Sequence, residues 1–251
     1  MATINPILMF DSRFDDGTPV ASSTAAGFDV LNLRDRRNYT WYKPGSLPAT
    51  AIVDCGIDKA ADCLAVYGHD LGSKGCTIEA RGSTDNFSAS DVLLASATPA
   101  NDKPFLVQFN SAPYRSWGVR ITGPAAPSMA IVMLGAALVF PQPVENGFDP
   151  IGPDLLGNID VARNGNPIGR TIEHQSWKQK LRFPDLAESW VRANWVTNWS
   201  RIRDKPVLFA WDSQYHPEDI YLAVLGNGFD APYKAGARTD LGFELSGLST
   251  L

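Results

Sequence analysis

Between Ala51 and Ser83 the chain reads AIVDCGIDKAADCLAVYGHDLGSKGCTIEARGS. Three short apolar runs each end in turn residues, and the middle one closes on Gly68-His69-Asp70-Leu71-Gly72. Elsewhere apolar and polar positions alternate: Ile78 and Ala80 against Thr77, Glu79 and Arg81, and Val119 and Ile121 against Gly118 and Arg120. Period two marks a strand with one buried and one solvated face. The pattern predicts strands at 6–10, 51–55, 63–67, 77–81, 105–109, 117–121 and 130–134. A spacing of roughly 10 to 25 residues, with turn residues between, suggests an antiparallel β-sandwich. Residues 130–140 form the longest apolar stretch, shorter than the ~18 residues a membrane span needs, and suit a buried strand pair.

The pattern then breaks. Residues 140–153 hold four Pro and two Gly. Each Pro removes a backbone donor and restrains its predecessor, so neither a helix nor a central strand is expected there. This places a sandwich at 1–140, a Pro/Gly-rich linker at 141–154 and a second β-rich domain at 155–251. In the second domain, 159–163 and 168–172 flank Asn164-Gly165, which readily adopts positive φ and reads as a hairpin. A longer strand over 177–183 follows.

One amphipathic helix is expected at about 185–203, with Asp185 as N-cap and Glu188 completing a capping-box-like pair. Leu186, Trp190, Val191, Trp195, Trp199 and Ile202 fall at helical spacing and form its packing face. Pro206 stops the helix, and strands follow at 207–211, 220–225 and 240–245. The predicted fold class is mainly β: an antiparallel sandwich, then a β-sheet domain whose helix covers the sheet to bury its Trp face.

Composition changes this picture little. The chain has 251 residues, 44% hydrophobic and 20% charged, enough apolar material for packed cores. A net charge of −5 argues against nucleic-acid binding. The densest basic cluster, Arg34-Asp35-Arg36-Arg37, is interrupted by an Asp and reads as a solvated loop. The start MATINPILMF lacks the basic opening of a signal peptide. The expectation is therefore a soluble chain made in a host cytoplasm, without membrane insertion.

Cys55, Cys63 and Cys76 fit neither a metal motif nor a disulfide framework and read as buried free thiols. Outside a secretory setting, the sequons at Asn38, Asn86 and Asn198 carry little meaning.

The catalytic search is negative. Gly226-Asn227-Gly228-Phe229-Asp230-Ala231 matches GxGxxA, but Pro232 and Gly236 follow where a phosphate-binding helix is required, so a turn is the better reading. His69, His174 and His216 lack metal-ligand spacing. No nucleophile elbow is present. No catalytic, metal or cofactor residue is assigned, and no cofactor is expected. Possible ligand or interface residues are Tyr39, Trp41, Tyr42, His69 and Arg115, because aromatic rings beside polar groups suit a sugar face. Core packing or a protein interface explains the same residues.

Several motifs over about 30–145 resemble the discoidin-like (galactose-binding-like) modules of tail proteins in long-tailed bacteriophages. They are Trp41, the Ile52-x-Asp54-x-Gly56 strand, the Gly68-His69-Asp70-Leu71-Gly72 turn, and the strand closing on Gly82-Ser83-x-Asp85. Tyr114 through Ile121, and Met133-Leu134-Gly135 through Phe140-Pro141, also fit. The second domain resembles the tail-tube or distal-tail family in architecture. The resemblance implies a non-enzymatic minor tail protein of the virion's tail tip. It would form a homo-oligomeric ring with other phage tail proteins as partners, the first domain facing outward and the second buttressing the ring. Lambda-type tail-tip proteins can hold an iron–sulfur cluster on four Cys; this chain has three, so that site is not carried over. The alternative is a carbohydrate-binding module for a host surface glycan.

Overall fold

The computed structural model describes residues 5–150 and 154–248, with the side chains of 154–159, 167, 170–176 and 248 left out. Its strands are β1 (Ile7–Met9), β2 (Val20–Ala21), β3 (Ala49–His69), β4 (Thr77–Ser83), β5 (Val92–Ala97), β6 (Phe105–Thr122) and β7 (Met129–Gly135). They continue as β8 (Leu138–Val139), β9 (Asp154–Val161), β10 (Pro167–Ala187), β11 (Val207–Ala210), β12 (Ile220–Asp230), β13 (Tyr233–Lys234) and β14 (Arg238–Leu248).

Two expected strand pairs are halves of single long strands: 51–55 and 63–67 both lie in β3, and 105–109 and 117–121 both lie in β6. β3 and β6 pair antiparallel along their length, with register breaks between Asp54 and Lys59 and between Ala61 and Cys63. Gly56, at φ 76, sits at the first break. Bulges bend strands and let one strand serve two sheets. The first half of β3 and the second half of β6 join β2, β4 and β5 in a five-stranded layer. The remaining halves join β7 in a three-stranded layer. Between the layers lies a core that includes Val53, Leu64, Val66, Ile78, Trp117, Ile121 and Val132. The predicted sandwich is thus present.

The second sheet has eight strands, ordered β8-β1-β11-β12-β14-β10-β9 with β13 beside β14. The expected division at 141–154 does not separate the two sheets. β1 and β8, assigned by sequence to the first domain, pair in the second sheet, β1 with both β11 and β8. Their side chains explain why. Ile7 and Met9 pack with Cys63, Ala65, Tyr67, Ile131 and Met133 of the sandwich and with Leu208 and Ile220, while Leu8 points into the opposite core. A strand apolar on both faces needs a layer on each side. The chain therefore stacks as five-stranded layer, three-stranded layer, eight-stranded sheet and helix. Nor is 141–150 a free linker. Glu145 donates its N–H to the Arg182 carbonyl at 2.7 Å, along the free edge of β10, and the Phe148 ring packs against Trp177, Phe209 and Trp211. Residues 151–153 lie outside the described residues.

The helical segment starts later than expected. Asp185 is no N-cap: it lies in β10 at φ 55, in a register break between Phe183 and Leu186. Pro184 cannot donate to the ladder there. The Asp185 N–H goes to the Asp240 carboxylate at 3.0 Å. Helix α1 (Glu188–Trp190) runs through a wider π-helical stretch (Val191–Val196), and α2 (Trp199–Asp204) follows. Glu188 makes no capping box; it accepts from Arg192 one turn later. Val191, Trp195 and Ile202 are buried against the sheet, Trp190 and Trp199 are half-buried beside them, and Leu186 is buried there from β10. The 226–230 stretch is not a turn either; it continues β12 past a register break between Leu225 and Phe229. Among the described residues no helix is long and apolar enough to cross a membrane.

A charge network fastens the layers. Arg36, 4% exposed, donates to the carbonyls of Phe10 (2.8 Å) and Pro206 (3.0 Å) and to the Asp15 carboxylate. Lys205 also reaches Asp15, at 2.9 Å, and Arg201 reaches Asp11, which also receives Arg13. The expected solvated loop at 34–37 is corrected for Arg36: φ 56 turns the chain so that its guanidinium enters the junction between N-terminal segment and helix.

Candidate functional site

The structure scatters the five sequence-selected ligand residues. Tyr42 is fully buried and donates its hydroxyl to the Ser23 carbonyl at 2.9 Å; burial pushes its phenol up to about 12. Its backbone forms an antiparallel bridge with Met129, so the ring is core. His69, 5% exposed, is also structural. Its Nδ1 accepts from the Leu71 N–H (3.3 Å), so its Nε2 donates to the Lys103 carbonyl (2.8 Å). Burial lowers the imidazole's affinity for a proton, and the ring meets Phe105 edge-on. The Gly-His-Asp-Leu-Gly turn is likewise built for packing, because a Cβ on Gly72 would stand 2.2 Å from the Asn101 carbonyl oxygen.

Trp41 is half-buried and packs on the apolar layer between the two units. Arg115 is exposed but gripped by both Asp54 carboxylate oxygens at 2.9 and 2.8 Å, at the bend of β3 and β6. Only Tyr39 offers a free ring: it is 70% exposed, with the Arg37 guanidinium 5.9 Å from its centre. The five residues therefore do not form one pocket.

All three thiols are free; Cys63 and Cys76 are buried and Cys55 is half-buried. Burial pushes Cys63 up to about 12 and Cys55 up to about 11, which keeps both protonated and poor nucleophiles. His216 stacks on Trp211, and the side chain of His174 lies outside the described residues. Among the described residues no three metal-ligating side chains converge.

A groove of about 850 Å³ lies over β10, β12 and β14, with walls that include Glu145, Lys180, Arg182, Asp230 and Asp240. The Asp240 carboxylate is 2% exposed and receives Lys234 (2.6 Å), Arg182 (2.6 Å) and the Asp185 N–H. Lys234 first, then that N–H and Arg182, hold its pKa at about 2 against an ordinary 3.8. A depressed folded-state pKa contributes stability above the unfolded value and loses it as pH falls. We expect the urea midpoint to drop between about pH 4 and pH 2, and Asp240→Asn to flatten the curve in that window. A wild-type midpoint constant over this range would contradict the assignment.

Sequence reasoning missed two surface features. One is the loop 84–91 with Phe87, signalled only by a run of turn formers. The other is the reach of the β9–β10 hairpin. β14 pairs with β10 from Ser176 onward, whereas Pro167–Gln175 of β10 is paired only with β9 among the described residues. At about 3.4 Å per residue this is, among the described residues, a two-stranded arm roughly 30 Å long. Val161 and Ile168 near its tip are 60% and 71% exposed.

No protein-family model and no curated protein sequence matches the chain. Among solved structures, chitosan-binding module 1 of the chitosanase/glucanase from Paenibacillus sp. IK-5 is 15% identical, with a TM-score of 0.42 over 49% of this chain and 98% of the module. The family 32 carbohydrate-binding module of Clostridium perfringens NanJ, solved with galactose, is 14% identical, with a TM-score of 0.42 over 53% of this chain and 99% of the module. A GH29 fucosidase of Ruminococcus gnavus is 12% identical, with a TM-score of 0.43 over 51% of this chain and 27% of the enzyme. The likeness is one of fold, a mainly β architecture.

Proposed function

We propose that the chain is a structural protein of a phage tail tip that works by assembly. The observation that supports assembly is the β9–β10 arm; the tail-tip setting rests on the sequence resemblance. A lone two-stranded ribbon is marginal in water, and an open edge strand is a ready template for another chain. Here such a ribbon projects from a stacked body and exposes Val161 and Ile168 at its end. Another subunit or a neighbouring tail protein covers it by strand addition or by burying the tip.

Light scattering of the purified protein should give a defined multiple of 27.3 kDa. The pair Val161→Lys and Ile168→Lys should give monomers with an unchanged Tm, because neither side chain lies in a core. A wild-type monomer at every concentration would count against self-assembly through the arm. Full-length infectious tails from a phage lacking the gene would sink the tail-tip role.

A second reading, glycan recognition, is favoured by Tyr39, whose exposed ring has a guanidinium donor beside it. A glycan array should then show a specific signal that Tyr39→Ala abolishes. A signal indifferent to that substitution removes Tyr39 from the site.

A further inference from the structure

The outer face of the five-stranded layer carries a cavity that neither the arm nor the Tyr39 loop uses. It lies beneath the loop between β4 and β5. The buried Ser83 hydroxyl accepts the N–H groups of Asp85 (3.1 Å) and Phe87 (2.8 Å) and donates to the Asp85 carboxylate (2.9 Å). That carboxylate collects the N–H groups of Ser88, Ala89 and Ser90. Held this way, Asn86 and Phe87 take φ values of 58 and 62 in succession. The left-handed region is rare for an aromatic residue, and such strain persists where the surroundings over-determine it, often at ligand clamps.

The half-buried Phe87 lines a cavity of about 320 Å³ with Thr50, Ile52, Arg81, Asn86 and Asp91. Arg81 is bonded to Glu79 at 2.8 Å and to Asp91 at 2.6 Å. The cavity thus offers a ring, a hydroxyl, an amide and a forked donor already interleaved with carboxylate acceptors. Two carboxylates against one guanidinium disfavour anions. Neighbouring hydroxyls on a pyranose are both donors and acceptors, and its C–H face stacks on an aromatic ring. The volume is near the lower end of the range for small-molecule pockets, about 300 Å³.

We infer that this cavity is a subsite for a neutral saccharide. The inference rests on the glycan reading in requiring that the chain bind saccharide, but it places the contact on a surface separate from Tyr39.

The test is titration of the full chain, by calorimetry and ligand-observed NMR, with methyl hexosides and methyl N-acetylhexosaminides. Sialic acid and glucose 6-phosphate serve as anionic controls. Glycine accepts the φ of residue 87 without strain, so Phe87→Gly should leave Tm unchanged or raised while weakening binding about tenfold, the loss of one stacking contact. Asn86→Gly relieves strain and keeps the ring but removes the amide, so its affinity should fall less than that of Phe87→Gly. A Phe87→Gly variant that loses Tm along with affinity makes the ring mere packing and overturns the inference. Tighter binding of the anionic controls overturns the ligand class. Binding that depends on Tyr39 and not on Phe87 overturns this subsite and leaves the glycan reading standing. Failure of every saccharide overturns both.

Discussion

Replacing Trp195 with alanine is expected to cost about 3–5 kcal/mol, a large share of the ~5–15 kcal/mol that holds a typical domain together. The residue is fully buried. Its ring stacks on Phe243 at 4.3 Å, lies 5.9 Å from Phe140, and meets Trp199 and Phe229 at 5.8 and 6.2 Å. Truncation removes the side chain that joins the helical segment to β14 and leaves a cavity among rings that cannot collapse independently. Among the described residues the indole N–H has no hydrogen-bond partner, so it contributes nothing that a benzene ring would lose. Trp195→Phe should therefore be clearly milder than Trp195→Ala. Urea unfolding of the three proteins measures this. An alanine variant within about 1 kcal/mol of wild type would mean that the helical segment does not depend on this contact.

Arg36→Ala should destabilise by a similar amount, about 3–5 kcal/mol, for an electrostatic reason. Removing Arg36 leaves Asp15 with the half-exposed Lys205 as its remaining partner. Here it also frees the carbonyls of Phe10 and Pro206, which lie far apart in sequence. Arg36→Lys should restore only part of the loss, because one ammonium cannot reproduce the planar fork that reaches Phe10, Pro206 and Asp15 together. The apolar layer containing Ile7, Met9, Cys63, Ala65, Met133, Leu208 and Ile220 couples the same two units. Unfolding should accordingly be one cooperative transition in wild type and in both variants. Two separated transitions in wild-type calorimetry would show that the junction does not couple the units.

Much of the fold was legible in the chain because burial on one face leaves a period. Lys178, Lys180 and Arg182 alternate with Trp177, Leu181 and Phe183 along β10, and the buried set faces the helix. The sandwich, the hairpin at Asn164-Gly165 and the Trp-rich helical face followed from such local rules. What misled was local chemistry with two outcomes. Asp185 followed by Glu188 looks like a helix start, yet Asp185 sits in a strand bulge because Asp240, distant in sequence, accepts its N–H. Arg36 sits among charges and reads as solvated, yet its partners Phe10, Asp15 and Pro206 assemble only on folding. The candidate site was the least legible part. Tyr42 and His69 have the residue types of a sugar site, but their hydroxyl and imidazole are consumed by the Ser23 and Lys103 carbonyls.

From its sequence alone, this protein is mainly β, with strands near their observed places, a turn closing the run that ends at His69 and one aromatic helical face, since each depends on residues a few positions apart. Only the tertiary structure decided how the layers stack. Cys63-Leu64-Ala65-Val66-Tyr67, Met129 through Leu134, and Val207 through Ala210 are apolar at nearly every position. An unbroken apolar run says that both faces are buried and cannot say by what. Leu64 and Val66 face the sandwich core while Cys63 and Ala65 face the second sheet. That choice, with β1 crossing to the second sheet and Arg36 turning inward, rests on partners that long-range packing alone brings together.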